Sequence, residues 1–168
     1  RTGVTAILPR GREGVGVPCA AGSYSLNGNG EMTGTPWIEE VGALSMPIGI
    51  TNTHSVGAVH EGIVSWTHEH HPRVGVQWML PVAAETWDGY LNDMNGGRIT
   101  EEVVGSAIDA AASGPIEEGS VGGGTGMNCY QFKAGTGTAS RVVEHAGATQ
   151  EHAERDQQHA TTMRERPA

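Results

Sequence analysis

At 168 residues the chain fits one domain, and 26 glycines with only 5% aromatic residues point to many turns and close backbone approaches. A formal charge of −9 excludes the clustered Lys and Arg that a nucleic-acid partner or an anionic membrane surface requires. Cys19 and Cys129 form no framework, so free thiols in a reducing cytoplasm are expected, with a single disulfide left open.

No apolar run reaches bilayer length, and the first residues carry no basic-plus-apolar leader pattern. Arg1 in place of Met is expected of a processed chain or a fragment. Val4 to Leu8 reads as a short buried strand halted at Pro9. The next two dozen residues are turn-rich, with extended pieces around Val15–Cys19 and Tyr24–Leu26. Asn27-Gly28 and Asn29-Gly30 are strong turn signals. Met46, Ile48 and Ile50 alternate as a strand ending at "TNT".

Val56, Val59, Ile63 and Trp66 then recur every three or four residues. With Ser55 as N-cap and Pro72 as a stop, the spacing predicts an amphipathic helix over 56–70. Val74, Val76, Trp78, Leu80 and Val82 alternate most cleanly and predict a strand over 74–82. Thr100 caps a second helix through about Ala112, with Glu101 and Glu102 at its positive end. Met127 to Phe132 reads as a further strand boxed by glycines.

Residues 148–168, "ATQEHAERDQQHATTMRERPA", contain no Leu, Ile, Val, Phe, Tyr or Trp. Such a segment buries little apolar area to offset chain entropy and is expected to be a polar tail, helical or disordered, behind a domain over 1–147.

"EEGSVGGGTGMNCYQFKAGTGTASR", residues 117–141, holds the densest glycine. A phosphate cradle would place the glycines between a strand and a helix N-terminus, with a following Lys. Here "GGGTGM" leads into a strand-like segment, and Met127, Cys129, Tyr130 and Phe132 are poor linker residues. Close-packing glycines fit best. His68, His70 and His71 end the first helix and complement its dipole; no metal is expected there.

The blocks "RTGVTAILP", "MPIGITNTHSVG", "ETWDGYLND" and the glycine stretch, in that order, resemble the self-processing aminopeptidases of the DmpA and β-aminopeptidyl type, peptidase family S58 or P1. The resemblance runs from about Thr2 to about Gly147. It implies an α/β class fold, a layered α/β/β/α sandwich of the N-terminal-nucleophile type, incomplete in this chain. It also implies a hydrolase that frees its own Ser and attacks amides, esters or small peptides of D- or β-amino acids with a free amino end. No metal or other cofactor is implied, and homo-oligomers are.

The substrate's ammonium requires a fixed carboxylate, and the resemblance assigns that role to Glu85 at the head of "ETWDGYLND". Trp87 is a second substrate-binding candidate, as an indole donor or as packing beside the pocket. An N-terminal nucleophile uses its own α-amine as base. The nucleophile-bearing portion expected after "GTASR" is not recognisable in "VVEHAG" and the polar tail, so no catalytic residue is assigned. The chain alone is expected to be inactive. A changed reading frame near Gly147 would produce such a junction, and missing strands would leave an open sheet edge prone to aggregation. The alternative is a non-catalytic interaction subunit that keeps the amine-binding pocket.

Overall fold

The computed structural model describes residues 1–139 and the backbone of 159–164. Strand β1 (Gly3–Leu8) buries Val4, Ala6 and Leu8, the alternate positions that a pleated strand presents to one face. The two-residue strands β2 (Cys19–Ala20) and β3 (Ala43–Leu44) pair with each other and flank helix α1 (Thr35–Val41). Strand β4 (Ile48–Asn52) then runs antiparallel to β1, with Thr5 opposite Ile50.

Helix α2 (Val56–His70) has the bounds its apolar period predicts. Its N-terminus differs in one respect. Ser55 makes no cap bond; its hydroxyl turns back to Asn52 Oδ1 at 3.1 Å. The single-turn helix α3 (Pro72–Gly75) comes next. Strand β5 (Val82–Thr86) returns parallel to β4 in register Thr51 to Glu85, as a connection through a helix allows. Helix α4 (Glu101–Asp109) packs on α2. A 3-10 turn at Gly122–Gly124 leads to the hairpin of β6 (Asn128–Cys129) and β7 (Phe132–Lys133).

The core lies between the sheet and the α2–α4 pair. Val59, Ile63 and Trp66 of α2 cluster with Val104, Ala107 and Ile108 of α4, with α2 lying on β4 and β5 and α4 on β1. Gly62 permits the close helix contact, since a Cβ there would stand 2.7 Å from Val104 Cβ. Asp109 ties the layer to the first loop: its Oδ1 accepts from Trp66 Nε1 at 3.0 Å and from Arg12 Nη1 at 2.9 Å. The Thr100 hydroxyl is the chief influence holding the Glu102 carboxyl below its ordinary 4.5. A lowered folded-state value contributes stability above the unfolded value that is lost as pH falls through the folded one. Thr100→Val is therefore expected to flatten the acid limb of the stability–pH curve below about pH 5, measured by urea titration.

Three expectations are corrected. The strand predicted over 74–82 is not one: Val74 lies in α3, Val76–Pro81 is a loop, and pairing starts at Val82. Pro72 starts a helical turn instead of only ending one, and Trp78, though it meets Trp37 edge-to-face with ring centroids 5.4 Å apart, stays mostly exposed, as does Val76. The strand predicted over Met127–Phe132 is instead a tight hairpin, with Tyr130 and Gln131 at φ 49° and 67°. Within the tail, His159–Arg164 is a strand, β8, antiparallel to β1 in a sheet ordered β5-β4-β1-β8. Main-chain pairing to an available edge requires no apolar side chains, so composition carries no sign of it. The boundary at Gly147 lies outside the described residues.

The open sheet edge expected from the sequence lies at β8, the outermost strand on one side of the described sheet. Strand β8 lies along β1. On the far side, Thr33 N donates to Ala83 O at 3.0 Å and Glu85 N to Glu31 O at 3.1 Å.

Candidate active site

Glu85 is the fourth residue of β5, near its C-terminal end. Its side chain is half-buried and lines a groove of about 900 Å³. The groove runs between the turn-rich segment after β2 and the sheet, and its walls include Tyr24, Leu26, Met32, Ile38 and Ile48. Glu31 and Glu39 add two further carboxylates to the same walls. The groove therefore mixes apolar walls with Ser23, Ser25, Asn27 and Thr35 and three carboxylates, an arrangement suited to a small ligand that carries a cation at one end.

The Glu85 carboxylate is oriented from its own sheet. Thr53, in the 3-10 turn after β4, donates its hydroxyl to Glu85 Oε2 at 2.5 Å. The other oxygen, Oε1, lies 3.2 Å from where a Cβ on Gly30 would stand. Thr86, the next residue, donates to Thr51 O at 3.2 Å and Gly123 O at 2.9 Å, locking the strand end to β4 and to the glycine turn.

The glycine stretch serves packing. Gly123 N donates to Thr5 Oγ1 at 3.2 Å, and a Cβ on Gly123 would stand 2.9 Å from Ile50 O. The 3-10 turn thus lies directly on β1 and β4, which only glycine allows. Lys133 Nζ reaches Gly124 O at 3.1 Å and also the Ala134 carbonyl, pinning the hairpin to that turn.

Trp87 does not share the groove walls with Glu85. Its side chain is 45% exposed and meets Tyr90 edge-to-face, with centroids 5.7 Å apart. Beneath it, Asp88 is fully buried and neither of its carboxylate oxygens has a hydrogen-bond partner. Asn92 Nδ2, Thr125 Oγ1 and Asn128 Oδ1 are buried and unpartnered in the same way. Asn92 N donates to Asp88 O, and Asn128 N donates to Trp87 O, so this polar cluster underlies the Trp87 loop.

His70 Nδ1 is 2.9 Å from Trp66 O and its ring stacks on Trp66, while His71 tilts against the same indole. Among the described residues no three His, Cys, Asp or Glu side chains converge as metal ligands, and both cysteines are free. Among the described residues no helix is long and apolar enough to cross a membrane.

Thr53 and Gly30 escape sequence reasoning. Thr53 follows a strand whose end is visible in "TNT", but nothing in the pattern pairs it with a residue 32 positions later. Gly30 reads as a turn residue and only folding brings it to Glu85.

The family model for Peptidase family S58 matches residues 1–153. The chain belongs to this family. It is 54% identical over 147 residues to the β-peptidyl aminopeptidase BapA of Sphingosinicella microcystinivorans, a match over 88% of this chain and 36% of that relative. It is 48% identical over 151 residues to the BapA of Sphingosinicella xenopeptidilytica, covering 89% of this chain and 37% of that protein. Among solved structures it superposes on the L-aminopeptidase D-Ala-esterase/amidase of Ochrobactrum anthropi with a TM-score of 0.82 and 52% identity, over 88% of this chain and 42% of that one. That protein is described as a prototype of the serine aminopeptidases with a variant of the Ntn hydrolase fold. A Burkholderia sp. β-aminopeptidase matches with a TM-score of 0.79 and 52% identity, over 86% of this chain and 40% of that one. The S58 chain thus spans little more than a third of the curated relatives' length, and its fold is that of the Ntn-hydrolase variant.

Proposed function

We propose that this chain is the amine-binding portion of an S58 aminopeptidase. The reaction is acyl transfer to water from a small amide, ester or peptide whose D- or β-amino acid has a free amino end. Glu85 pairs with the substrate's ammonium, while Trp87, outside the groove walls, packs against Tyr90 beside the site. The attacking hydroxyl comes from polypeptide outside this chain. Assembly into a homo-oligomer and a cytoplasmic setting belong to the same proposal. The exposed apolar side chains of Val76 and Trp78 support the first and the free thiols of Cys19 and Cys129 the second.

The observation that carries the proposal is the Glu85 carboxylate, oriented by a neighbouring hydroxyl in a groove that two further carboxylates make acidic. A protonated α-amine has a pKa near 8, so the substrate is a cation at neutral pH, and a fixed carboxylate selects it over an internal peptide bond. Acyl transfer further requires a nucleophile and donors aimed at the developing oxyanion.

The test has two arms. The purified 168-residue chain is titrated with D-alaninamide and followed by NMR shifts, then assayed on alanine p-nitroanilide alone and after mixing with the complementary portion of a BapA relative. Binding without turnover, followed by turnover on complementation, is the expected result. Turnover by the chain alone overturns the assignment of the nucleophile. Absence of any amine binding overturns the role of Glu85. Binding that complementation never converts to turnover favours a non-catalytic interaction subunit.

A further inference from the structure

The Glu85 carboxylate has two unlike sides. Oε2 accepts the Thr53 hydroxyl at 2.5 Å. Oε1 faces Gly30, where one added methyl would stand 3.2 Å away. Glu85 lies in β5 in register with Thr51 of β4, and Thr53 opens the 3-10 turn that directly follows β4, so the paired strands bring the two side chains together. Gly30 is exposed and its backbone does not adopt a positive φ, so an Ala there is compatible with the local chain.

We infer that Thr53 is a positioning residue for amine recognition: it holds one carboxylate oxygen so that the other is presented to the ligand's ammonium, and Gly30 keeps that second oxygen uncovered. This rests on Glu85 being the ammonium acceptor. Without the Thr53 hydroxyl the carboxylate regains rotation about its last torsion, and each binding event must then order it. The hydroxyl acts through Glu85 and makes no contact of its own with the ligand.

The test compares alaninamide with lactamide, its hydroxyl analogue that lacks the cation, on the full 168-residue chain by NMR titration. Thr53→Val is expected to reduce the preference for the amine about tenfold, the effect of losing one hydrogen bond to a charged group. Thr53→Ser, which keeps the hydroxyl, is expected to restore it. Gly30→Ala, on an exposed loop, is expected to weaken amine binding and leave the urea midpoint unchanged. Glu85→Gln serves as the reference for complete loss.

A Thr53→Val chain with wild-type preference, beside a Glu85→Gln chain that has lost it, overturns the role of Thr53 and leaves Glu85 in place. Loss in Thr53→Val that Thr53→Ser does not restore also overturns it, because packing rather than the hydroxyl is then responsible. Wild-type preference in Glu85→Gln overturns both assignments together.

Discussion

Glu85→Gln is expected to lower the affinity of the chain for alaninamide by about tenfold to a hundredfold, since a hydrogen bond to a charged group contributes ~1.5–3 kcal/mol. The neutral amide keeps an oxygen that can accept the Thr53 hydroxyl, so the site's geometry is preserved and only the charge is lost. The backbone pairing of Glu85 is unaffected, because its N–H donates to Glu31 O whatever the side chain. Stability should therefore change little, within the ±0.5 kcal/mol typical of substitutions away from the core. Affinity for lactamide should also stay constant, which separates loss of the carboxylate from collapse of the groove. An unchanged alaninamide affinity would remove Glu85 from recognition.

Ile63→Ala is expected to remove about 2–5 kcal/mol of unfolding free energy, measured by urea denaturation. Ile63 is 1% exposed and projects from α2 toward the sheet, close to Gly49 of β4. The site cannot easily collapse: Gly62 is already in close contact with Val104, and Trp66 is tied to Asp109. A domain with ~5–15 kcal/mol of total stability loses a large share in this way. Val76→Ala, on a loop side chain 81% exposed, serves as the contrast and should be close to neutral. Equal effects at the two positions would contradict the helix-on-sheet core.

Helix α2 is legible to the residue because a 3.6-residue apolar period is sustained over four turns and closed by His71-Pro72. Helix α1 leaves no such trace: seven residues, only Ile38 buried, supply one apolar contact and no period. The alternation at Val74–Val82 misleads because Val76 and Trp78 face solvent from a loop, so their two-residue spacing marks no buried face. Glu85 is identifiable through the block "ETWDGYLND", but its groove is not. The walls come from residues 19–39, whose composition speaks only of turns, and their approach to β5 is tertiary. For the same reason Trp87, two residues on, groups with Glu85 in the sequence although the strand end directs it elsewhere.

The sheet's flanks bear on how copies of this chain meet. Residues 31–33 are bonded to β5, whereas β8 is the outermost strand on the other side and, among the described residues, pairs with β1 alone. Growth by strand addition, the route to fibrils, therefore meets a cover at β5 and has its natural template along β8. Concentrated samples should therefore associate along that one flank in preference to the other.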